Sequence, residues 1–275
     1  MNSSGRRLLL ALALAACALG GCKKKKVDPN RATRDALHKE LQPVALSNCT
    51  LKRYGSVNDG GYLMCENLIA GVESAYSYGI EHEDNWGCQL SREHKVGIHQ
   101  YDCFTEDRPT CEGGTFIFHD ECVGPKTETI EGNAFDSVAG QITKNGDKGK
   151  RIIMKMDVEG AEWDSFVATP DEVFERIDQL IMELHGVNEQ KFVDVVSKLK
   201  KNFHVVAFHY NNWECTRKVQ PFASAAYEVL FVNKRLGVLD PNGKPHKSGD
   251  PPDSQNNPNE ADCQTVPPPK PKKKT

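Results

Sequence analysis

The sequence predicts an α/β fold: a mostly parallel sheet with helices on both faces, closed by a terminal antiparallel strand. Three observations predict it. Short apolar runs alternate with helical patterns through residues 74–202. The alternation then stops, and two strand-like runs follow each other without a helix between them. Polar and ionisable residues recur just beyond the strand runs, where open parallel sheets bind their ligands.

In chain order, residues 23–30 read as a basic tether and 31–42 as a short amphipathic helix. The parallel strands are expected at 74–80, 95–102, 115–119, 151–157 and 179–185. Helices fill the intervals at 84–92, 134–143, 162–176 and 189–202; in the last, Phe192, Val195, Val196 and Leu199 fall at helical spacing. The closing strand pair is 204–210 and 225–233. From Pro241 the chain is Pro, Lys, Asn and Asp with almost no large apolar residue, which predicts disorder. The expected division is a lipoprotein signal at 1–21, a tether and helix at 22–45, one domain at 46–239 and a disordered tail at 240–275.

The amino terminus sets the compartment. Arg6 and Arg7 precede an apolar run from Leu8 to Gly21, shorter than the roughly 20 residues of a spanning helix. The run is either a cleaved export signal or an uncleaved anchor, and its Leu19-Gly20-Gly21-Cys22 end resembles a bacterial lipobox. That resemblance implies lipidation at Cys22 and a membrane-anchored envelope protein on the periplasmic side, the outer membrane being favoured. Setting aside Cys17 and Cys22, eight cysteines remain and no CxxC occurs, which fits disulfides in an oxidising compartment better than a zinc ribbon. Their connectivity is open, although Cys111 and Cys122 flank a Gly-Gly turn and could close a short loop. Residues 27–269 hold 25 basic and 38 acidic side chains, a balance of −13 that excludes nucleic acid as a partner.

At the strand ends stand Gly79 and Glu81, Asp102, His119 and Asp120, Asp157 and Glu159, His185, and His209. Asp102 is either a surface turn residue or the acid that accepts the ribose hydroxyls of a nucleoside cofactor. The first turn, SYGIEHEDNWG, lacks GxGxxG, so a cofactor without phosphates suits it better than a dinucleotide.

Taken together, SYGIE, YD, KMDVEGAEWDSF and LIMELH, with RYGSVNDGGYLMC upstream, resemble the FkbM-type S-adenosylmethionine-dependent methyltransferases, in the methyltransferase-like branch with secreted members. The resemblance spans residues 46–234, with DVEGAEW and Glu-x-His as its specific part; the first turn keeps only Gly79 of the usual GxGxG. It implies a class I methyltransferase sheet, Rossmann-like, with S-adenosylmethionine as cofactor. By position, Gly79 and Glu81 would approach the methionine portion, Asp102 the ribose and Asp120 the adenine edge, with Asp157 beside the transferring methyl group.

Asp157, Glu159 and His185 are the catalytic candidates, and Glu183 can converge on them because adjacent strands lie about 4.8 Å apart. They could deprotonate a substrate hydroxyl or hold a divalent cation that lowers its pKa. Glu159 and Glu162 could instead be first-turn helix acids, which is the expectation for Glu162. His185 could simply cap its strand. The expected activity is O-methylation of a small-molecule or glycan acceptor; the alternative is a non-catalytic envelope lipoprotein whose acidic rim binds a glycan or cation.

Overall fold

The structure, a computed structural model, describes residues 28–265. The signal and the Cys22 lipidation site lie outside these residues. The first described elements are helix α1 (Arg31–Glu40) and an antiparallel hairpin of β1 (Leu51–Gly55) and β2 (Gly61–Cys65). Next come β3 (Ser74–Tyr78), α2 (Asn85–His94), β4 (Gly97–Tyr101) and β5 (Thr115–His119). Short strands β6 (Cys122–Val123), β7 (Glu128–Ile130) and β8 (Asn133–Asp136) form a separate sheet before α3 (Val138–Lys144). The chain continues through β9 (Ile152–Met156), α4 (Glu162–Ala168), α5 (Asp171–Phe174), β10 (Ile177–His185), α6 (Gln190–Leu199), β11 (Phe203–Tyr210) and β12 (Ala226–Asn233).

The main sheet has seven strands in the order β11-β12-β10-β9-β3-β4-β5. Only β12 runs against its neighbours, pairing antiparallel with β10 and β11 as it inserts between them. The architecture is compatible with a Rossmann-like fold. Strand order reverses between β3 and β9, so a crevice opens at their carboxyl ends.

Buried strands of this kind carry apolar residues on both faces, and β9 shows how the sides are divided. Ile152, Met154 and Met156 join the core that packs Trp163 and Phe166 of α4 and Val195 and Val196 of α6. Ile153 joins the opposite core, with Trp86 and Leu90 of α2 and Tyr54, Tyr62 and Met64 of the hairpin. Helices therefore cover both faces, and the β1–β2 hairpin shares the second.

Three expectations need correction. The helix expected at 162–176 is two helices, because Thr169 turns extended before Pro170, whose ring cannot continue a helix. The helix expected at 134–143 begins only at Val138, where Ser137 accepts the Gly140 N–H at 3.1 Å as its cap; residues 133–136 are strand β8 instead. The tail does not become disordered at 240. Leu239 bridges to Leu46, and the following segment returns to the sheet, burying Asn256 and Asn257. Asp253 stands 2.7 Å from His209 Nδ1, and Asn256 donates to Glu228 at 2.7 Å. Side-chain hydrogen bonds do there what apolar contacts usually do, so composition alone misread the segment.

All eight cysteines among the described residues pair, as Cys49–Cys65, Cys88–Cys111, Cys103–Cys122 and Cys215–Cys263. Cys111 and Cys122 thus take different partners rather than closing a loop between themselves. Four disulfides place the fold in an oxidising, extracytoplasmic setting. Among the described residues no helix is long and apolar enough to cross a membrane.

Candidate active site

A cavity of about 420 Å³ opens at the crevice between β3 and β9. Tyr78, Gly79 and Glu81 line it from the end of β3, Asp102 and Phe104 from β4, and Asp157 and Glu159 from β9. Its size lies within the usual range for small-molecule sites. Gly79 has φ +69°, and a Cβ there would stand 1.6 Å from the Asp157 carbonyl oxygen. Only glycine lets the two loops approach this closely. The Asp102 carboxylate accepts the Ile80 and Glu81 N–H groups at 3.1 Å each through Oδ2, and that of Phe104 at 2.9 Å through Oδ1. It therefore ties the β3 loop to the β4 loop while facing the cavity. Phe104 is 83% exposed and presents an aromatic face at the rim.

Asp120 is not part of this lining. It is exposed and pairs with Arg108 at 3.2 Å, so the expectation of an adenine contact is not supported by its place.

The acids of DVEGAEW fall into distinct roles. Asp157 Oδ2 accepts the Tyr62 hydroxyl at 2.9 Å and lies 3.6 Å from Lys155 Nζ. Lys155 in turn donates to the carbonyls of Tyr78 and Gly79. Glu159 has φ +53°, a backbone conformation costly for a residue with a side chain, and its exposed carboxylate reaches His185 Nε2 at 3.4 Å. Glu162 is fully buried. Its Oε2 accepts the Gly160 N–H and its Oε1 the His185 N–H, both at 2.8 Å. The next residue, Trp163, donates its indole N–H to the His185 carbonyl at 2.6 Å. Consecutive residues of α4 thus clasp both backbone groups of His185. Glu162 is consequently no exposed helix acid, as its spacing had led one to expect, but the link between the β9 loop and the end of β10.

His185 stands among three carboxylates: Glu159 at 3.4 Å and Glu183 at 3.7 Å from Nε2, and Glu162 at 3.4 Å from Nδ1. The Nδ1 contact is an ion pair without hydrogen-bond alignment, since Nδ1 has no hydrogen-bond partner among the described residues. Burial alone would lower the imidazole pKa, but the Glu162, Glu159 and Asp157 carboxylates together outweigh it and raise it. Glu183 is buried beside Asn211, which donates to it at 2.6 Å. Burial first, then the Asp157 and Glu228 carboxylates, push its pKa well above the ordinary range. Glu228, its cross-strand neighbour on β12, is pushed by burial up to about 7, against the pull of His209 and Arg53.

The sequence reading brought Asp157, Glu159, Glu183 and His185 together, and the structure places them so. It missed Tyr62, Glu228 and the positioning role of Glu162. A usable signal for Glu228 was present: it is the one charged residue inside an apolar strand, as Lys155 is in β9. Tyr62 had no comparable signal, because the hairpin that carries it was not recognised as an element. Compared with models of known protein families the chain matches none, and a comparison with curated proteins likewise gives no match.

Proposed function

We propose that the protein is an S-adenosylmethionine-dependent O-methyltransferase of the extracytoplasmic envelope, acting on a hydroxyl-bearing acceptor such as a sugar. The observation that carries this reading is the cavity at the β3–β9 crevice, bounded by Gly79 and Asp102 and reached from one side by Asp157. The reversed strand β12 supports the class I sheet that the resemblance implies. The residues present suit the cofactor: a glycine turn without a phosphate cradle, an anionic side chain at the β4 end, and an exposed aromatic ring for a purine face. When bound, S-adenosylmethionine supplies a methyl group on a sulfonium centre.

The chain itself positions the acceptor and manages its proton. Asp157, held by Tyr62, stands at the cavity wall, where its carboxylate can accept a hydrogen bond from the acceptor hydroxyl and orient its oxygen. His185 Nε2, flanked by Glu159 and Glu183, can take the proton released as that oxygen becomes a nucleophile. Glu162 and Trp163 keep the imidazole in place through its backbone.

Calorimetry with S-adenosylmethionine tests the reading. Wild-type protein should release heat, and Asp102→Asn should bind roughly tenfold or more weakly, since it keeps an acceptor for the loop but removes the charge. No heat with folded wild type would refute the proposal. The four disulfides favour a second reading, because the cofactor is made in the cytoplasm: the fold would then bind a glycan or cation without catalysis. Lipid anchoring at Cys22 belongs to both readings. Acyl labelling of the wild type, lost in Cys22→Ala, is the expected result, and label retained by the variant would remove the anchor.

A further inference from the structure

We propose that Asp157, Glu183 and His185 form a binding site for one divalent transition-metal cation, such as Mn²⁺, that accepts carboxylate oxygen together with an imidazole nitrogen. One ligand atom from each residue lies within 4.8 Å of the others. Ligands about 2.1 Å from an octahedral ion stand roughly 3.0 to 4.2 Å apart, and His185 Nε2 and Glu183 Oε1 are already separated by 3.7 Å. Small side-chain rotations would complete the set.

The surroundings of each ligand are a second observation, independent of the cluster itself. Metal ligands are ordinarily oriented by outer partners that hydrogen-bond or pack against them. All three residues have one here. Tyr62 donates to Asp157 Oδ2, and Lys155 approaches the same oxygen, which leaves Oδ1 free for an ion. Asn211 holds the buried Glu183. Glu162, fully buried, accepts the His185 backbone N–H and lies 3.4 Å from Nδ1 without a hydrogen bond to it, while Nε2 is the nitrogen turned toward Glu159 and Glu183. A lone ion pair needs no such framework.

Charge points the same way. Asp157, Glu159, Glu183, Asp59 and Glu228 converge on this region and outnumber the nearby cations, Lys155, 3.6 Å from Asp157 Oδ2 and also bonded to the Tyr78 and Gly79 carbonyls, and Arg53, which pulls on Glu228. Asp59, Glu183 and Glu228 form an adjoining set, but it offers no nitrogen, and Asn256 already donates to both Asp59 and Glu228. The site with His185 is the better built. Asp157 also lines the cavity and Glu159 is mostly exposed, so remaining coordination positions would open toward the acceptor side. An ion there would occupy His185 Nε2 and so replace the imidazole as the activating group: it would bind an acceptor hydroxyl and lower its pKa, the proton passing to Glu159 or water, a role that rests on the methyltransferase reading, although the binding itself does not.

The test is a Mn²⁺ titration of the full chain, stripped with chelator, followed by electron paramagnetic resonance without S-adenosylmethionine present. One Mn²⁺ per chain is expected. Asp157→Asn, Glu183→Gln and His185→Gln should each weaken binding at least tenfold, and Tyr62→Phe, which keeps its ring in the core, about tenfold. Asp59→Asn should stay within about twofold of wild type. Folded wild type that leaves all Mn²⁺ free at millimolar concentration overturns the site, whether or not it binds S-adenosylmethionine. So does unchanged binding in Glu183→Gln and His185→Gln, and so does a loss confined to Asp59→Asn. Mn²⁺ binding without any heat from S-adenosylmethionine would uphold the site and refute the methyltransferase reading alone.

Discussion

Under the proposed methyltransferase function, Asp157→Asn should lower methyl transfer by about 10²–10⁴-fold while the melting temperature barely changes. The replacement keeps the shape and leaves an oxygen for the Tyr62 hydroxyl, so the hairpin remains docked. What it removes is the negative charge at the wall between the cavity and His185. Lys155 loses an ion-pair partner at 3.6 Å but retains two backbone carbonyls, which limits the stability cost to about 1 kcal/mol. Turnover with an identified acceptor, measured beside melting curves, decides the matter. Full turnover would reduce Asp157 to a loop residue. Glu159→Gln should have the smaller effect of the two, because its carboxylate is 79% exposed and meets His185 only at 3.4 Å.

Glu162→Ala should be the most damaging substitution for stability in this stretch. Truncation strands the Gly160 and His185 N–H groups and leaves a void beside Trp163. Two partly buried, unpaired donors cost about 2–4 kcal/mol together, which lowers the melting temperature of a chain this size by on the order of 10 °C. Glu162→Gln should recover part of the loss, since its amide can accept one of the two hydrogen bonds. Differential scanning calorimetry of both variants checks this, and a shift within about 1 °C for Glu162→Ala would show that the clasp on His185 carries little energy. A mere helix-dipole acid would cost no more than about 0.3–1 kcal/mol.

The sheet was legible because its strands, apart from the partly exposed edge strand β5, are buried on both faces and read as short apolar runs whose ends differ from expectation by only a residue or two, as at 151–157 against Ile152–Met156. Helix breaks were less legible. Pro170 was a visible stop that the longer apolar pattern overrode. For the candidate site, spacing along β10 and the β9 loop sufficed to bring Glu183, His185 and Asp157 together. It separated Glu159, read as a site acid, from Glu162, read as an exposed helix acid, but carried no sign that Glu162 is buried. Only the left-handed backbone at Glu159 and Gly160 sends one carboxylate to the exterior and the other into the core. Nor could composition foresee that polar residues 253–257 would pack against the sheet, because their partners Glu228, His209 and Asp59 are scattered through the chain.

The Cys215–Cys263 bridge closes a loop across 48 positions of sequence, and the segment that holds Glu228 lies inside that ring. Residues 241–252 are largely exposed and rich in Pro and Gly, the kind of tract that proteases cut first. A single cut there would leave both pieces covalently joined, with residues 253–257 still tethered beside the sheet at a high effective concentration. Backbone continuity and attachment are thereby separate properties: the acidic side of the site would keep its cover through a nick, and would lose it only when the disulfide is opened as well.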